Sequence, residues 1–380
     1  MEGSFCAPAA ALFSLTLLWK LKGDLSGSGY WTAASRALMG ALMGATVCWT
    51  VPAALCGPVL LGCSFILIHI GRRDELLPTE SRAVLVTGCD SGFGLALVQR
   101  LSERGLKVFA GVLDVNGSGA RRLRERQSEN LQVLQLDVTD GSQIEAARRH
   151  IITQVAAGTG LWGLVNNAGV LPCPLDAELH PMAAYRRCMD VNFLAAVRMC
   201  QVFLPLLRRS RGRIVNVSSM AGEVPMPLLA AYGASKAALS VLSKVMRLEL
   251  SVWGVEVSVI QPAGFRTNIF GNSDDVTRYT DKVLATISSD AREDYGEAYI
   301  ASLPNSLSKM SRQSAEDLSP VVDDMCHALL SAHPRPVYMP GQMGWLLPFL
   351  HRYCPTGVFD AIAMKLFKHT DCEPAGLNRS

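Results

Sequence analysis

Two side chains that could exchange a proton with a substrate stand one helical turn apart, in the segment Tyr232-Gly-Ala-Ser-Lys236. This spacing places the phenol and the ammonium group on the same face of a helix. An ammonium ion beside a phenol favours phenolate, so we expect Lys236 to lower the pKa of Tyr232 toward working pH. The pair is therefore suited to general acid–base chemistry on a hydroxyl or carbonyl group.

A glycine-rich turn far upstream could bind a nucleotide cofactor, which the Tyr–Lys pair alone could not. It reads Thr87-Gly-Cys-Asp-Ser-Gly-Phe-Gly94 and follows the apolar strand Ala83–Val86. At a helix N-terminus, backbone N–H groups and the helix dipole favour a pyrophosphate. The glycine spacing differs from the common G-x-G-x-x-G fingerprint, and a plain tight turn is the alternative. Together with the Tyr–Lys pair, the turn indicates a nicotinamide-dependent oxidoreductase.

The carboxylate of Asp114 bears on the choice between NAD and NADP. It ends the apolar strand Val108–Leu113, where an acidic side chain can accept hydrogen bonds from ribose hydroxyls. A 2′-phosphate would be repelled there, and neither Ser91 nor Val115 offers it a basic partner. We therefore expect NAD as the cofactor, with a strand-end turn residue as the alternative role for Asp114.

Alternating strand and helix patterns predict an α/β fold. Buried-strand patterns occur at 83–87, 107–113, 131–136, 161–166, 213–218, 255–260 and near 337–339. Helical patterns occur near 92–104, 142–157, 181–209, 232–252 and 315–332. Continuous apolar strands alternating with helices predict a Rossmann-type doubly wound parallel sheet of about seven strands, covered by helices on both faces. Substrate then lies beyond the carboxyl ends of the strands.

The chain resembles the short-chain dehydrogenase/reductase family over roughly residues 83–340. The resemblance rests on Thr87–Gly94, Asn166-Asn-Ala-Gly169, Ser219 and the Tyr232–Lys236 segment. It implies that the catalytic residues are Asn192, Ser219, Tyr232 and Lys236, and that Ser219 and Tyr232 also bind the substrate. It implies cofactor contacts from Gly88, Ser91, Gly92, Phe93, Gly94, Asp114, Asp137, Asn166, Ala168, Gly169, Tyr232, Lys236 and Thr267.

The same resemblance implies a role for each catalytic side chain. Tyr232 takes the alcohol proton, Ser219 hydrogen-bonds the reacting oxygen, and Lys236 holds the ribose hydroxyls of the nicotinamide half. Asn192 holds a water that links Lys236 to solvent. One departure from the family pattern is Ala263, which stands where a glycine is usual and therefore adds a methyl group and requires a negative φ.

Further stretches are similar to the hydroxysteroid dehydrogenases of this family, among them 108–114, 213–220 and 261–268. They imply NAD-dependent oxidation of a steroid secondary alcohol to a ketone, first of all at the 17β position, as in estradiol to estrone and testosterone to androstenedione. Oxidation of an 11β-hydroxysteroid or of retinol is the alternative. An inactive steroid-binding scaffold would be favoured by the loss of a catalytic residue, and all four are present. The family usually pairs through two long helices, here 181–209 and 232–252, which implies a homodimer.

The N-terminal part of the chain has the composition of a membrane anchor. The run Ala37–Gly71 has no formally charged residue and exceeds the roughly 20 apolar residues that cross a bilayer as a helix. A second uncharged run, Gly3–Trp19, precedes it. We expect residues 1–71 to form two or three transmembrane segments. Arg72 and Arg73 favour a cytosolic catalytic domain by the positive-inside rule, with the endoplasmic reticulum as the membrane.

The rest of the chain divides by composition. A polar linker is expected at 72–82, the NAD-binding domain at 83–340 with a substrate lid at about 265–312, and an apolar C-terminal flap at 341–380. That flap is either a lid over an apolar substrate or a surface lying against the bilayer.

Other functional classes find little support in the composition. A formal net charge of +3 is too small to indicate a nucleic-acid partner. Eleven cysteines without a C-x-x-C do not form a disulfide pattern, and the seven histidines are scattered, so no metal site is expected.

Overall fold

The computed structural model describes residues 13, 58–63, 75–156, 158–270, 281, 284–367 and 372–378. By its internal contacts the chain divides into two compact units, Met1–Glu75 and Leu76–Ser380. In the first unit, residues 58–63 are helical. Most of the anchor expected at 1–71 lies outside the described residues, so that expectation stays a prediction.

A seven-stranded parallel sheet forms the centre of the second unit. Its strands are β1 (Ala83–Val86), β2 (Lys107–Val112), β3 (Leu131–Gln135), β4 (Gly163–Asn166), β5 (Arg213–Val217), β6 (Glu256–Ile260) and β7 (Val337–Tyr338). They lie in the order β3-β2-β1-β4-β5-β6-β7, and every pair is parallel. The strand order reverses between β1 and β4, and ligands of such sheets bind at this point, outside the carboxyl ends of the strands. The predicted strands are confirmed.

Helices cover both faces of the sheet. The α-helices in the described part of the chain are α1 (Gly92–Glu103), α2 (Ser118–Glu125), α3 (Gly141–Gln154), α4 (Met182–Met189), α5 (Ala195–Ser210), α6 (Ala230–Leu250), α7 (Ser289–Tyr295), α8 (Glu297–Gln313), α9 (Ser319–Leu330), α10 (Leu346–Tyr353) and α11 (Thr356–Leu366). Because successive strand residues point to opposite faces, Val84 and Val86 pack with α1 and α9. Ala83 and Leu85 pack on the other side with α3, α5 and α6.

One helical stretch among the described residues is long and apolar enough to cross a membrane, the 29 residues Met182–Ser210. It consists of α4, a π-helical turn at Asp190–Leu194, and α5. Met199 and Phe203 of α5 are buried in the core together with strand residues. We therefore assign this stretch to the interior of the α/β fold.

Two pairs of helices lie outside the strand–helix alternation. The first pair, α7 and α8, occupies the segment expected to form the lid, and it buries Ala291 and Leu303 in a cluster with Leu175 and Leu228. The second pair, α10 and α11, follows β7 and buries Leu347 and Phe359 against the loop after β5.

Candidate active site

Two adjoining cavities lie at the carboxyl ends of the strands. The first, of about 530 Å³, is lined by the glycine turn, by Ser219, Tyr232 and Lys236, and by Thr267. The second, of about 830 Å³, is lined on one side by Asp137 and Val138. Gly88, Asp90, Ala168 and Gly169 line both. The structure thus brings most of the predicted site residues to one continuous edge of the sheet.

The glycine turn is packed so closely that side chains are excluded. Gly88 has φ +67°, and a Cβ built on it would stand 2.8 Å from Ala168 Cα. A Cβ on Gly94 would stand 2.3 Å from the Gly88 carbonyl oxygen. Gly94 lies in the first turn of α1, whose N-terminal N–H groups have no helical partner. This bare backbone at a helix N-terminus fits the pyrophosphate of a dinucleotide.

The remaining residues of the turn differ in what they contact. Ser91 is extended and precedes α1. The ring of Phe93 packs edge-on against Phe265, with centroids 5.7 Å apart. Thr267 lies across the turn from Gly92, with its Cβ 3.2 Å from the place of an added Cβ. Ser91, Phe93 and Thr267 all line the smaller cavity, and their contacts with a cofactor stay a prediction.

Asp90 has a structural role that the sequence did not reveal. Its carboxylate accepts hydrogen bonds from the backbone N–H of Leu113, at 3.0 Å to each oxygen, and from that of Asp114 at 3.3 Å. It therefore fastens the glycine turn to the end of β2. The Asp114 side chain is exposed there, and its Oδ1 accepts from the N–H of Asn116 at 2.9 Å. Asp114 is thus open to solvent next to Leu113, which lines the larger cavity.

Asp137 lines the larger cavity but is already engaged locally. Its Oδ1 accepts hydrogen bonds from the N–H and hydroxyl of Thr139, at 2.8 and 2.7 Å. This fixes the loop after β3, which forms the wall expected to meet an adenine.

The two asparagines at the end of β4 have different roles. Asn166 is buried and donates to Asn216 Oδ1 at 2.8 Å, which joins β4 to β5 and places its side chain inside the sheet. Asn167 instead donates to the carbonyls of Thr87 and Gly88, at 2.9 and 3.0 Å. Asn167 was missing from the predicted contacts, although its position within Asn-Asn-Ala-Gly was the available signal. It holds the glycine turn in place.

The catalytic side chains meet beside the turn. Lys236 is buried, and its ammonium donates to the Val217 carbonyl at 2.8 Å, with Nζ 5.8 Å from the centre of the Tyr232 ring. Ser219 follows β5, and its Oγ accepts from the Ala221 N–H at 3.2 Å. Ser218 donates to the Lys236 carbonyl at 2.8 Å, which fastens α6 to β5. The phenol, hydroxyl and ammonium groups therefore face the same cavity.

The predicted lowering of the tyrosine pKa is wrong for the protein without cofactor. Burial raises the pKa of Tyr232 to about 12, and a hydrogen bond with Ser219 only partly opposes this. Burial also lowers the pKa of Lys236 to about 8. Desolvation disfavours the charged form of each group and is the largest cause of both pKa shifts. The Tyr232 side chain is therefore a neutral phenol at neutral pH.

Asn192 is placed by the π-helical turn between α4 and α5. Its side chain is buried, accepts from the Val170 N–H at 2.8 Å, and donates to the Val170 carbonyl and to Ser235 Oγ, each at 3.0 Å. A Cβ on Gly169 would stand 3.3 Å from both Asn192 Oδ1 and Lys236 Nζ. Asn192 thus lies beside the lysine, and π turns of this kind are frequent at functional sites.

Ala263, the departure from the family pattern, fits without strain. It is not among the described residues with positive φ, and its N–H donates to the Pro340 carbonyl at 3.0 Å. Its side chain lines the smaller cavity and packs with Met220 and Leu347. The extra methyl group therefore forms part of an apolar wall.

The rest of the smaller cavity is mostly apolar. Side chains from the loop after β5, from α8 and from the C-terminal helices contribute, namely Met220, Met226, Leu229, Met310, Met343, Leu347, Leu366 and Phe367. Because α10 and α11 supply part of this wall, the first interpretation of the C-terminal segment, as a cover over the cavity, agrees with its packing. The arrangement suits an apolar molecule with one reactive oxygen near Tyr232.

Comparison with known proteins identifies the same family. A family model described as short chain dehydrogenase matches residues 82–277. The chain is 42% identical to estradiol 17-beta-dehydrogenase 2 of Mus musculus over 95% of this chain and 94% of that protein. It is 46% identical to 11-beta-hydroxysteroid dehydrogenase type 2 of Oryctolagus cuniculus over 75% of this chain and 70% of that protein. A short-chain dehydrogenase structure from Streptomyces avermitilis superposes with a TM-score of 0.58 at 23% identity, covering 76% of this chain and 95% of that one.

Proposed function

Because the chain belongs to the short-chain dehydrogenase family, whose members bind a nicotinamide cofactor, we propose that it oxidises the 17β-hydroxyl of a steroid with NAD. The observation that carries the proposal is the convergence of Ser219, Tyr232 and Lys236 in a cavity whose other lining is largely apolar. The 17β position is favoured over 11β because the similarity to the 17β enzyme covers 95% of the chain, against 75% for the 11β enzyme.

The chain's own residues divide the reaction between them. Ser219 hydrogen-bonds the alcohol oxygen, and Tyr232 takes its proton. When bound, an oxidised nicotinamide supplies a hydride acceptor and a positive charge, and a nearby cation lowers a phenol pKa. Lys236 and Thr267 would hold the nicotinamide half, and the glycine turn would hold the pyrophosphate. Asn192 and Ser218 position these groups through their hydrogen bonds.

The test is NAD reduction by microsomes that contain the full chain, offered estradiol, testosterone, cortisol and retinol in turn. We expect estradiol and testosterone to be oxidised fastest, with microsomes carrying Tyr232→Phe as the background. Faster turnover of cortisol or retinol would replace the 17β proposal by one of its alternatives. No turnover of any alcohol would favour a binding scaffold.

The NAD preference is proposed to depend on Asp114. Its exposed carboxylate stands at the end of β2. Among the described residues, a guanidinium that hydrogen-bonds this loop is that of Arg124, whose Nη1 donates to the Val115 carbonyl. We expect Asp114→Ser combined with Val115→Arg to reduce the NAD/NADP ratio of kcat/KM at least tenfold, about 1.4 kcal/mol. Val115→Arg alone, which keeps the carboxylate, is the matched control and should change the ratio less. An unchanged ratio in the double variant would place cofactor selection elsewhere.

We also propose a homodimer. An apolar stripe runs along the exposed side of α6, formed by Val241, Val245 and Leu248, and Val252 continues it in the 3-10 turn that follows the helix. The spacing of these residues keeps them on one face of the helix. Exposed stripes of this kind mark contact surfaces, and a second copy of the same helix offers a complementary one.

For the N-terminal segment we propose an anchor in the endoplasmic reticulum membrane with a cytosolic catalytic domain. Ala37–Gly71 supports the anchor and Arg72–Arg73 the orientation. We expect the full chain to resist carbonate extraction and a chain lacking residues 1–71 to be released. Asn116 is exposed and begins the sequon Asn-Gly-Ser, as Asn378 begins Asn-Arg-Ser. A glycan on either asparagine would contradict the orientation.

A further inference from the structure

The two C-terminal helices have one face inside the protein and one outside. On the inner face, Leu347 of α10 and Phe359 and Ala363 of α11 are buried against Met220 and Val224. This packing holds the helix pair firmly on the dehydrogenase core, so the position of its outer face is defined as well.

The outer face is also rich in apolar side chains. It carries Trp345 (65% exposed), Phe349 (52%), Tyr353 (68%), Val358 (51%), Ile362 (37%), Met364 (67%) and Leu366 (49%), which we call the outer apolar face. The rings of Phe349 and Tyr353 pack together, with centroids 4.9 Å apart. Single exposed apolar residues are ordinary, but seven on two neighbouring helices mark a surface that meets something other than water.

The outer apolar face reaches the mouth of the active-site cavity. Met343 and Leu366 line that cavity and are at the same time 42% and 49% exposed. Leu366 thus belongs both to the cavity lining and to the outer apolar face, so the two surfaces meet at this side chain. An apolar molecule leaving the outer apolar face would enter the cavity past these two side chains.

The composition of the face indicates what covers it. In residues 341–367, Arg352, Asp360 and Lys365 are the only formally charged residues, and the two cations have long stems that can reach lipid headgroups. Trp and Tyr beside aliphatic residues are typical of helices that lie in a membrane interface. The same chain contains the uncharged run Ala37–Gly71, which is long enough to place the protein at a bilayer. A second copy has a different surface available, the stripe on α6.

We propose that the outer apolar face of α10 and α11 docks on a phospholipid bilayer, and that the active-site cavity opens directly into that bilayer. The docking goes beyond the proposed steroid oxidation and does not require it. The entry route does depend on that function, because it supposes an apolar substrate dissolved in the membrane.

Docking is tested without substrate on the full chain in phosphatidylcholine nanodiscs. An environment-sensitive fluorescent amino acid replaces Phe349, and doxyl-labelled lipid is added as quencher. The matched control places it at Ile152, an apolar residue of α3 that is 42% exposed. We expect at least threefold stronger quenching at position 349 than at 152. Equal quenching at the two positions would overturn the proposal. Energy transfer between two copies labelled at position 349, without quenching by lipid, would also overturn it, because a second copy of the chain would then cover this face.

The entry route is tested with the double variant Phe349→Asp/Met364→Asp, neither residue of which lines the active-site cavity. We expect the KM for a membrane-dissolved steroid to rise at least fivefold, with kcat and the KM for NAD within twofold of the original values. Ile152→Asp should leave all three unchanged. An unaltered steroid KM would refute the route even if docking holds. If the wild-type chain oxidises no steroid, the proposed function fails while the quenching result still decides the docking.

Discussion

Replacing Tyr232 with phenylalanine should abolish nearly all turnover while leaving cofactor binding intact. The change removes the oxygen that we propose takes the substrate proton, and it keeps the ring that packs in the cavity. General acid–base catalysis contributes roughly 10²–10⁴-fold, so we expect kcat to fall by about 10³-fold. Tyr185→Phe is the matched control, since its hydroxyl donates only to the Ala177 carbonyl at 3.1 Å. A variant at position 232 that kept a tenth of the original kcat would exclude the tyrosine as acid–base group.

The pH dependence gives this result a second readout. Oxidation needs the phenolate, and the pKa of Tyr232 lies near 12 in the free protein because of burial. Below that value the phenolate fraction grows with pH, so kcat/KM for oxidation should rise from pH 7 toward alkaline pH. Above about pH 8 the loss of the charge on Lys236 should flatten the rise. The residual activity of Tyr232→Phe should lack this slope.

Adding one methyl group at Gly94 should prevent the glycine turn from binding the pyrophosphate of the cofactor. In Gly94→Ala the new Cβ would stand 2.3 Å from the Gly88 carbonyl oxygen and 2.7 Å from Asn167 Nδ2, so the turn must move away from its position. We expect the affinity for NAD to fall about 100-fold, or about 2.8 kcal/mol, as measured by calorimetry. The stabilisation of the fold by NAD, seen as a rise in Tm, should disappear with it.

The control for this substitution is Gly357→Ala. Its added Cβ meets no atom within 4 Å, at the start of α11. NAD affinity and Tm should therefore stay close to those of the original chain. If Gly94→Ala bound NAD within threefold of the original affinity, the pyrophosphate would have to bind elsewhere.

The sequence predicts the features of this site that depend on local pattern. Seven apolar strands, the glycine turn at the end of β1 and the helical spacing of Tyr232 and Lys236 are all visible in short windows. What it missed depends on contacts between distant segments. Asp90 binds the end of β2 and Asn167 binds the end of β1, and neither contact follows from the residues beside them.

The error in the tyrosine pKa has the same origin. A neighbouring charge can be inferred from spacing in the sequence, whereas burial depends on how α6, β5 and the C-terminal helices close over the cavity. Desolvation of Tyr232 and Lys236 became visible only in the folded chain, and it is the larger effect. For the same reason, the sequence alone does not show which side chains of α10 and α11 are buried and which are exposed. The packing of the folded chain does.

The π-helical turn that carries Asn192 has a consequence for the length of this helix in related chains. A π turn holds one residue more than the α-helical turn it replaces, so residues before and after it are rotated relative to an unbroken helix. A relative that lacks one residue within 190–194 would regain a continuous α-helix and turn one half of it by about 100°. In such a chain the asparagine would leave Val170 and Ser235, and alignments that place a gap there would pair residues that occupy different sides of the helix.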